Sequence, residues 1–163
     1  MDKLQELTQK MITYYSGAPK QIQHFIKVHR FAQMIGMEEG LDQHTQFVLE
    51  AAALVHDIGI KPADEKYGSH GGKLQEQEGP APAREMLAGL GFEAADTERI
   101  CYLIAHHHTY TNVDGMDYRI LLEADFLVNL YEDGVSVPAV EAALKNIFRT
   151  ESGAQLCRTM FLG

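Results

Sequence analysis

Glu50-Ala-Ala-Ala-Leu-Val-His-Asp-Ile-Gly-Ile-Lys61 reads as the last turns of a buried helix carrying two residues that do not belong in an apolar core. The His56 imidazole and the Asp57 carboxylate are costly to strip of water unless a charge close by compensates them. A metal ion supplies such a charge. On an α-helix, Val48, Leu49, Ala52 and Ala53 share a face with His56, which therefore points inward. Asp57 lies about 100° further round. Both side chains reach one ion only if the helix ends there, as Gly59 and Pro62 predict. The triplet Ala51-Ala-Ala53 removes bulk just upstream, so neighbouring helices can approach closely and ligands from different helices can converge.

Three further polar sites interrupt apolar stripes. His24 shares an inward face with Val28, Phe31 and Ile35, whereas His29 is about 140° round from it and reads as a rim or core residue. Ile100, Leu103, Ile104 and His107 follow the i, i+3, i+4, i+7 spacing of a buried face. His108 stacks over Ile104 and can reach the same cavity, while His106 faces outward or into a cleft. Asp125 neighbours Leu121, Leu122 and Val128, and a carboxylate so placed needs a partner or takes a proton. Asn129, one turn on, is placed to orient a ligand or substrate; Glu123, on another face, reads as a solvated helix charge.

The composition narrows the chemistry. The chain has 163 residues, 45% of them apolar, which suits one domain with its own core. Its two cysteines, Cys101 and Cys157, are far apart, so neither a disulfide framework nor a thiolate zinc site is encoded. Any metal falls to His, Asp and Glu. Against 14 Lys and Arg stand 23 Asp and Glu, a formal charge of −9 without a basic block, which disfavours nucleic acid and favours a small diffusible ligand. No signal core and no membrane-spanning run is present, so the expectation is a cytoplasmic protein with no membrane partner.

Helical spacing runs nearly throughout. Helices are predicted over about 2–15, 19–38, 42–58, 80–90, 94–108, 117–132, 136–149 and 151–160, with breaks at Ser16-Gly17-Ala18-Pro19, Gly40-Leu41-Asp42 and Gly89-Leu90-Gly91. The stretch from Lys61 to Pro80 is expected to be one long irregular, functional loop. The apolar tail Leu156–Leu162 calls for burial, against the body or in a homo-oligomer.

With these residues assembled, the chain resembles the HD-domain superfamily of metal-dependent phosphohydrolases, whose pattern is a His, then a His-Asp pair, then a distant Asp. Here the pattern is His24-Phe-Ile-Lys-Val28 with Ala32, then Ala52-Ala-Leu-Val-His56-Asp57-Ile-Gly, then Ala124-Asp125-Phe-Leu127. The resemblance is strongest over residues 20–131. It implies one HD domain over 1–163, a compact all-α bundle with a metal site in a central cleft, held by His24, His56, Asp57 and Asp125. Many members hold a second ion. Ile104-Ala-His-His107 resembles the Ile-x-x-His element that serves it, which implies His107 and then His108 as ligands. Glu78-Gly-Pro-Ala-Pro-Ala83 resembles the His-Gly-Pro-x-x-Ala element of dinuclear members that hydrolyse dinucleoside polyphosphates, with Glu in place of His. Glu78 is accordingly preferred to His70 as the ligand from this region.

The chemistry so implied is hydrolysis of a phosphate ester or anhydride in a small phosphorylated substrate, such as a nucleotide. The resemblance implies one or two divalent transition-metal ions per chain (Fe, Mn, Co, Ni or Zn), with Asp57 bridging to the second, held by Glu78 and His107, and a metal-activated hydroxide attacking phosphorus. Lys61, four residues after Asp57, is placed to steady a phosphate oxygen, with Asn129 as a second substrate contact; Lys73 and Arg84 are lesser candidates. The alternatives are a dinuclear iron oxygenase of the same superfamily and a non-catalytic ligand-binding module stabilised by its metal.

Overall fold

Ten helices and no strand make up the computed structural model, which describes residues 1–163. In chain order they are α1 (Lys3–Tyr14), α2 (Pro19–Glu38), α3 (Gln43–Val55), α4 (Ile60–Tyr67), α5 (Gly72–Glu78), α6 (Pro80–Gly89), α7 (Ala94–Ala105), α8 (Met116–Glu132), α9 (Val137–Asn146) and α10 (Glu151–Leu162). The all-α expectation holds. Local chemistry explains several boundaries. Asp2 and Asp42 accept from the Gln5 and Thr45 amides at 2.8 Å, capping α1 and α3. Pro19 starts α2, where its missing N–H is of no consequence. Gly40 adopts φ +74° beyond the end of α2, and the Leu41 amide closes back onto the Gly36 carbonyl at 3.1 Å.

The alanine-rich α3 is the central element, buried continuously from Val48 to Val55 and packed against α1, α2, α7 and α8. Its small side chains bring those helices close, and the cavities between them are filled by Phe25, Leu49, Leu54, Ile58, Ile100, Leu103 and Ile104. Burying each large apolar side chain contributes about 2 kcal/mol. Of the helices packed on α3, α2 carries His24 and α8 carries Asp125, and His107 follows just beyond the end of α7.

Three expectations are corrected. The segment after Lys61 is not an irregular loop: it folds into α4 and α5, short helices that bury only Ala63 and Gln75 respectively and so carry no apolar stripe. Glu123 is not a solvated charge. It is fully buried, because the start of α10 folds over this face of α8, and it accepts from the Arg149 and Thr150 amides at 2.8 and 3.0 Å. Burial raises its pKa, opposed by the Thr150 hydroxyl and these amides. The tail is α10, which buries Gly153 and Cys157 while Met160 and Leu162 stay 41% exposed. Cys101 and Cys157 are free thiols, and no helix is long and apolar enough to cross a membrane.

Candidate metal centre

α3 ends at Val55, so the backbone turns at His56 and delivers successive side chains to one place. His56 Nε2 and Asp57 Oδ2 are 3.3 Å apart. From α2, His24 Nε2 lies 3.1 Å from Asp57 Oδ2 and 3.3 Å from His56 Nε2. From α8, Asp125 Oδ1 is 3.3 Å from both imidazole nitrogens. All four residues are buried.

The ring orientations are set from behind. His56 Nδ1–H donates to the Ala53 carbonyl at 2.7 Å, and His107 Nδ1–H donates to the Ile104 carbonyl at the same distance. Each histidine sits just past a helix end, where a carbonyl three residues back has lost its intrahelical partner. His24 Nδ1–H donates instead to Glu132 Oε1, also at 2.7 Å. With all three Nδ1 atoms committed, every Nε2 faces inward.

Asp57 turns its other oxygen the other way. Oδ1 lies 3.2 Å from His107 Nε2, and ligand atoms of Asp57, His107 and His108 all fall within 4.8 Å of one another. The sequence-derived set His24, His56, Asp57, Asp125, His107 and His108 is thus brought together, with Asp57 shared between two groups.

The electrostatics of this cluster favour a cation. Burial lowers the pKa of His24, but Asp125 and Asp57 more than offset it and raise the value to about 10. His56 is raised for the same reason, its burial outweighed by the Asp57 and Asp125 charges. The two carboxylates are held down by His56 against their own burial. His108 differs: burial and the neighbouring His107 lower it to about 4. The site demands positive charge, which protons or a metal ion can supply.

The donors fit a metal. Bonds of about 2.0–2.2 Å to N and O give ligand–ligand edges of about 3.0–3.5 Å in octahedral or tetrahedral coordination, and the separations here are 3.1–3.3 Å. Asp125 Oδ1 and His107 Nε2, both buried, have charged or polar atoms 3.2–3.3 Å away but none placed with hydrogen-bond geometry. Such orphans are costly unless something else meets them.

Several supporting residues escape a sequence reading. Tyr15 and Tyr14 donate through their hydroxyls to the Asp57 and Ile58 carbonyls at 2.6 and 3.0 Å, pinning the turn. Gln21 Nε2 donates to Asp57 Oδ2 at 3.2 Å. Gln75 Oε1 lies 2.8 Å from His108 Nε2, and Glu76 accepts from the His108 amide at 3.0 Å. Gln21 and Glu132 had a signal, lying three residues before His24 and seven after Asp125 on the same helical faces. Gln75 and Glu76 had none.

Other expected participants are elsewhere. Glu78 does not join the cluster: it pairs with Lys66 and lies near Tyr67, facing a surface groove. An ammonium offsets its charge there, whereas the cluster already holds two carboxylates. Lys61 is also turned away, donating to the Tyr14 carbonyl at 3.2 Å with its ammonium 4.9 Å from the Tyr14 ring centre. Tyr14 offers a cation both an acceptor and a π face. His70 is exposed and paired with Asp64, Arg84 pairs with Glu98, and Lys73 is exposed. His106 stacks on Tyr102 at the surface. Asn129 is half-buried on α8, between Asp125 and Glu132 in sequence.

His29 is held by Glu50 at 3.0 Å, and Glu50 also accepts from Gln33 and Gln46. His29→Ala should therefore leave metal content unchanged and lower stability by about 1.5 kcal/mol, the low end for a hydrogen bond to a charged group, because Glu50 keeps other donors. Metal analysis alongside a urea melt checks both; loss of metal would contradict the placement of His29 outside the centre.

With this geometry in hand, comparison with known proteins is decisive for the family. The HD domain family model matches residues 22–140, which include every residue of the cluster. The chain belongs to the HD domain family. A crystal structure of a predicted HD superfamily hydrolase from an uncultured Thermotogales bacterium is similar to it, with a TM-score of 0.64 and 22% sequence identity. That match covers 96% of this chain and 82% of the other. A search of the curated proteins finds no match. In this HD domain the His-Asp pair is His56-Asp57, at the meeting point of α2, α3, α7 and α8.

Proposed function

We propose that this HD domain is a metal-dependent phosphohydrolase acting on a small phosphorylated substrate, a nucleotide or another phosphate ester or anhydride. The observation that carries the reading is the convergence of His24 Nε2, His56 Nε2, Asp57 Oδ2 and Asp125 Oδ1 at coordination-edge spacing in a buried site. The structural neighbour's description as a predicted hydrolase points the same way. His24, His56, Asp57 and Asp125 would hold one divalent ion, and Asp57, His107 and His108 a second. Such ions lower the pKa of water and neutralise charge on phosphoryl oxygens.

The chain's own residues do the rest. Asp57 serves both groups of ligands, so its position couples them. Burial keeps His108 neutral at pH 7, fit to ligate or to move a proton at Nε2, where Gln75 now meets it. Gln21, which donates to Asp57 Oδ2, and Asn129, one turn after Asp125 on α8, can position substrate oxygens without adding charge. Lys61, held against Tyr14, is not assigned a role.

The test is a panel of nucleotides, dinucleoside polyphosphates and sugar phosphates assayed with Mn(II) or Fe(II). The reading expects phosphate-bond hydrolysis that stops when metal is chelated. Full metal occupancy without hydrolysis of any member would favour a ligand-binding module, and dioxygen-dependent turnover would favour an oxygenase.

A further inference from the structure

A carboxylate at the C-terminal end of a helix faces the negative end of the macrodipole. Glu132 closes α8, Asp133 follows it, and no basic residue lies in the last turn. Two groups from α2 offset this placement. His24 Nδ1 is 2.7 Å from Glu132 Oε1, and Lys27 Nζ is 2.9 Å from Oε2. Lys27 follows His24 by one turn, so one face of α2 grips both oxygens of one carboxylate. The Glu132 side chain is 13% exposed and Lys27 38%, which makes this the link between the buried centre and solvent.

The contrast with the other two histidines is informative. His56 and His107 donate to backbone carbonyls, which are neutral and fixed by the fold. Of these three, only His24 donates through Nδ1 to an ionised side chain. Charge-assisted hydrogen bonds are roughly twice as strong as neutral ones, and a carboxylate behind an imidazole raises its basicity as a ligand.

We propose that Glu132 is the positioning residue for His24, fixing its Nδ1–H tautomer so that Nε2 meets Asp57 and Asp125, and that Lys27 holds Glu132 in place. This inference rests on reading the cluster as a metal centre. Glu132 touches neither the ion nor the substrate; it acts through His24.

Zinc(II) is the probe. Its affinity is measured by chelator competition on the parent, Glu132→Ala and Glu132→Gln proteins, and the imidazole N–H protons of the zinc-loaded forms are followed by NMR. Glu132→Ala should weaken zinc binding by about 10- to 100-fold. The His24 Nδ1 proton should be lost to exchange with water, while those of His56 and His107 persist. Glu132→Gln keeps an acceptor but not the charge, so it should lie between, with the His24 proton retained and shifted upfield. Should Glu132→Ala fail to fold by circular dichroism, Glu132→Gln carries the test. Affinity within twofold of a zinc-binding parent, with the His24 proton unmoved, would overturn the proposal alone. Absence of zinc binding by the parent would overturn the metal reading and this inference together.

Discussion

Asp57→Ala should yield a folded protein that retains less than about a tenth of the parent's metal, with turnover reduced about a thousandfold or more, the several kcal/mol that metal ions contribute to such reactions. The size follows from position. Asp57 is the one residue common to both groups of ligands, with Oδ2 facing His24 and His56 and Oδ1 facing His107. Its loss removes the carboxylate that joins them. The fold should survive, because without Asp57 the imidazoles lose part of the field that keeps them charged and can be buried neutral, with Asp125 beside both and Glu132 behind His24. Helical circular dichroism, metal content and turnover measured on one preparation check the prediction. Parent-level metal in this variant would show that Asp57 is not a ligand.

Gly59→Ala should lower stability by about 3 kcal/mol, at the upper end of ordinary overpacking. For a domain of this size that is a melting temperature about 6–12 °C lower. A Cβ at Gly59 would sit 2.5 Å from the Gln75 carbonyl oxygen and 2.8 Å from the Gly79 nitrogen. Both are backbone atoms, so no rotamer change relieves the clash and α5 must move. α5 carries Gln75, which meets His108, so turnover should fall as well. Gly89→Ala is the control: nothing lies within 4 Å of its Cβ, and it should melt at the parent's temperature or about 1–4 °C above it. Equal melting temperatures for the two variants would mean that α5 does not sit against the His-Asp turn.

The glycine prediction also explains why some of the centre is legible in the sequence and some is not. His24, His56, His107 and Asp125 stand out because each interrupts an apolar stripe of regular period, and a buried stripe fixes the direction of the side chain. Asp57 is placed by the helix ending at Val55, which Gly59 and Pro62 signal. Glu78 is different. It lies in a short polar helix whose orientation is set by backbone contact of α5 with Gly59, an interaction between residues distant in sequence with no periodic trace. A resemblance to a ligand element located the segment, yet Lys66 decided where the carboxylate went. Lys61 illustrates the same limit: spacing from Asp57 places it near the cleft, while the Tyr14 carbonyl and ring draw it to α1. Glu123 is misread because α10, which covers it, folds back from the far end of the chain.

The central claim, that His24, His56, Asp57 and Asp125 hold a metal ion, is tested most directly by the metal content of the purified protein and its His56→Ala variant, both dialysed after loading with Mn(II), Fe(II) or Zn(II). The account predicts one or two equivalents per chain in the parent and near none in the variant, with both equally helical. A parent that retains no metal, or a variant that retains as much as the parent, would contradict it.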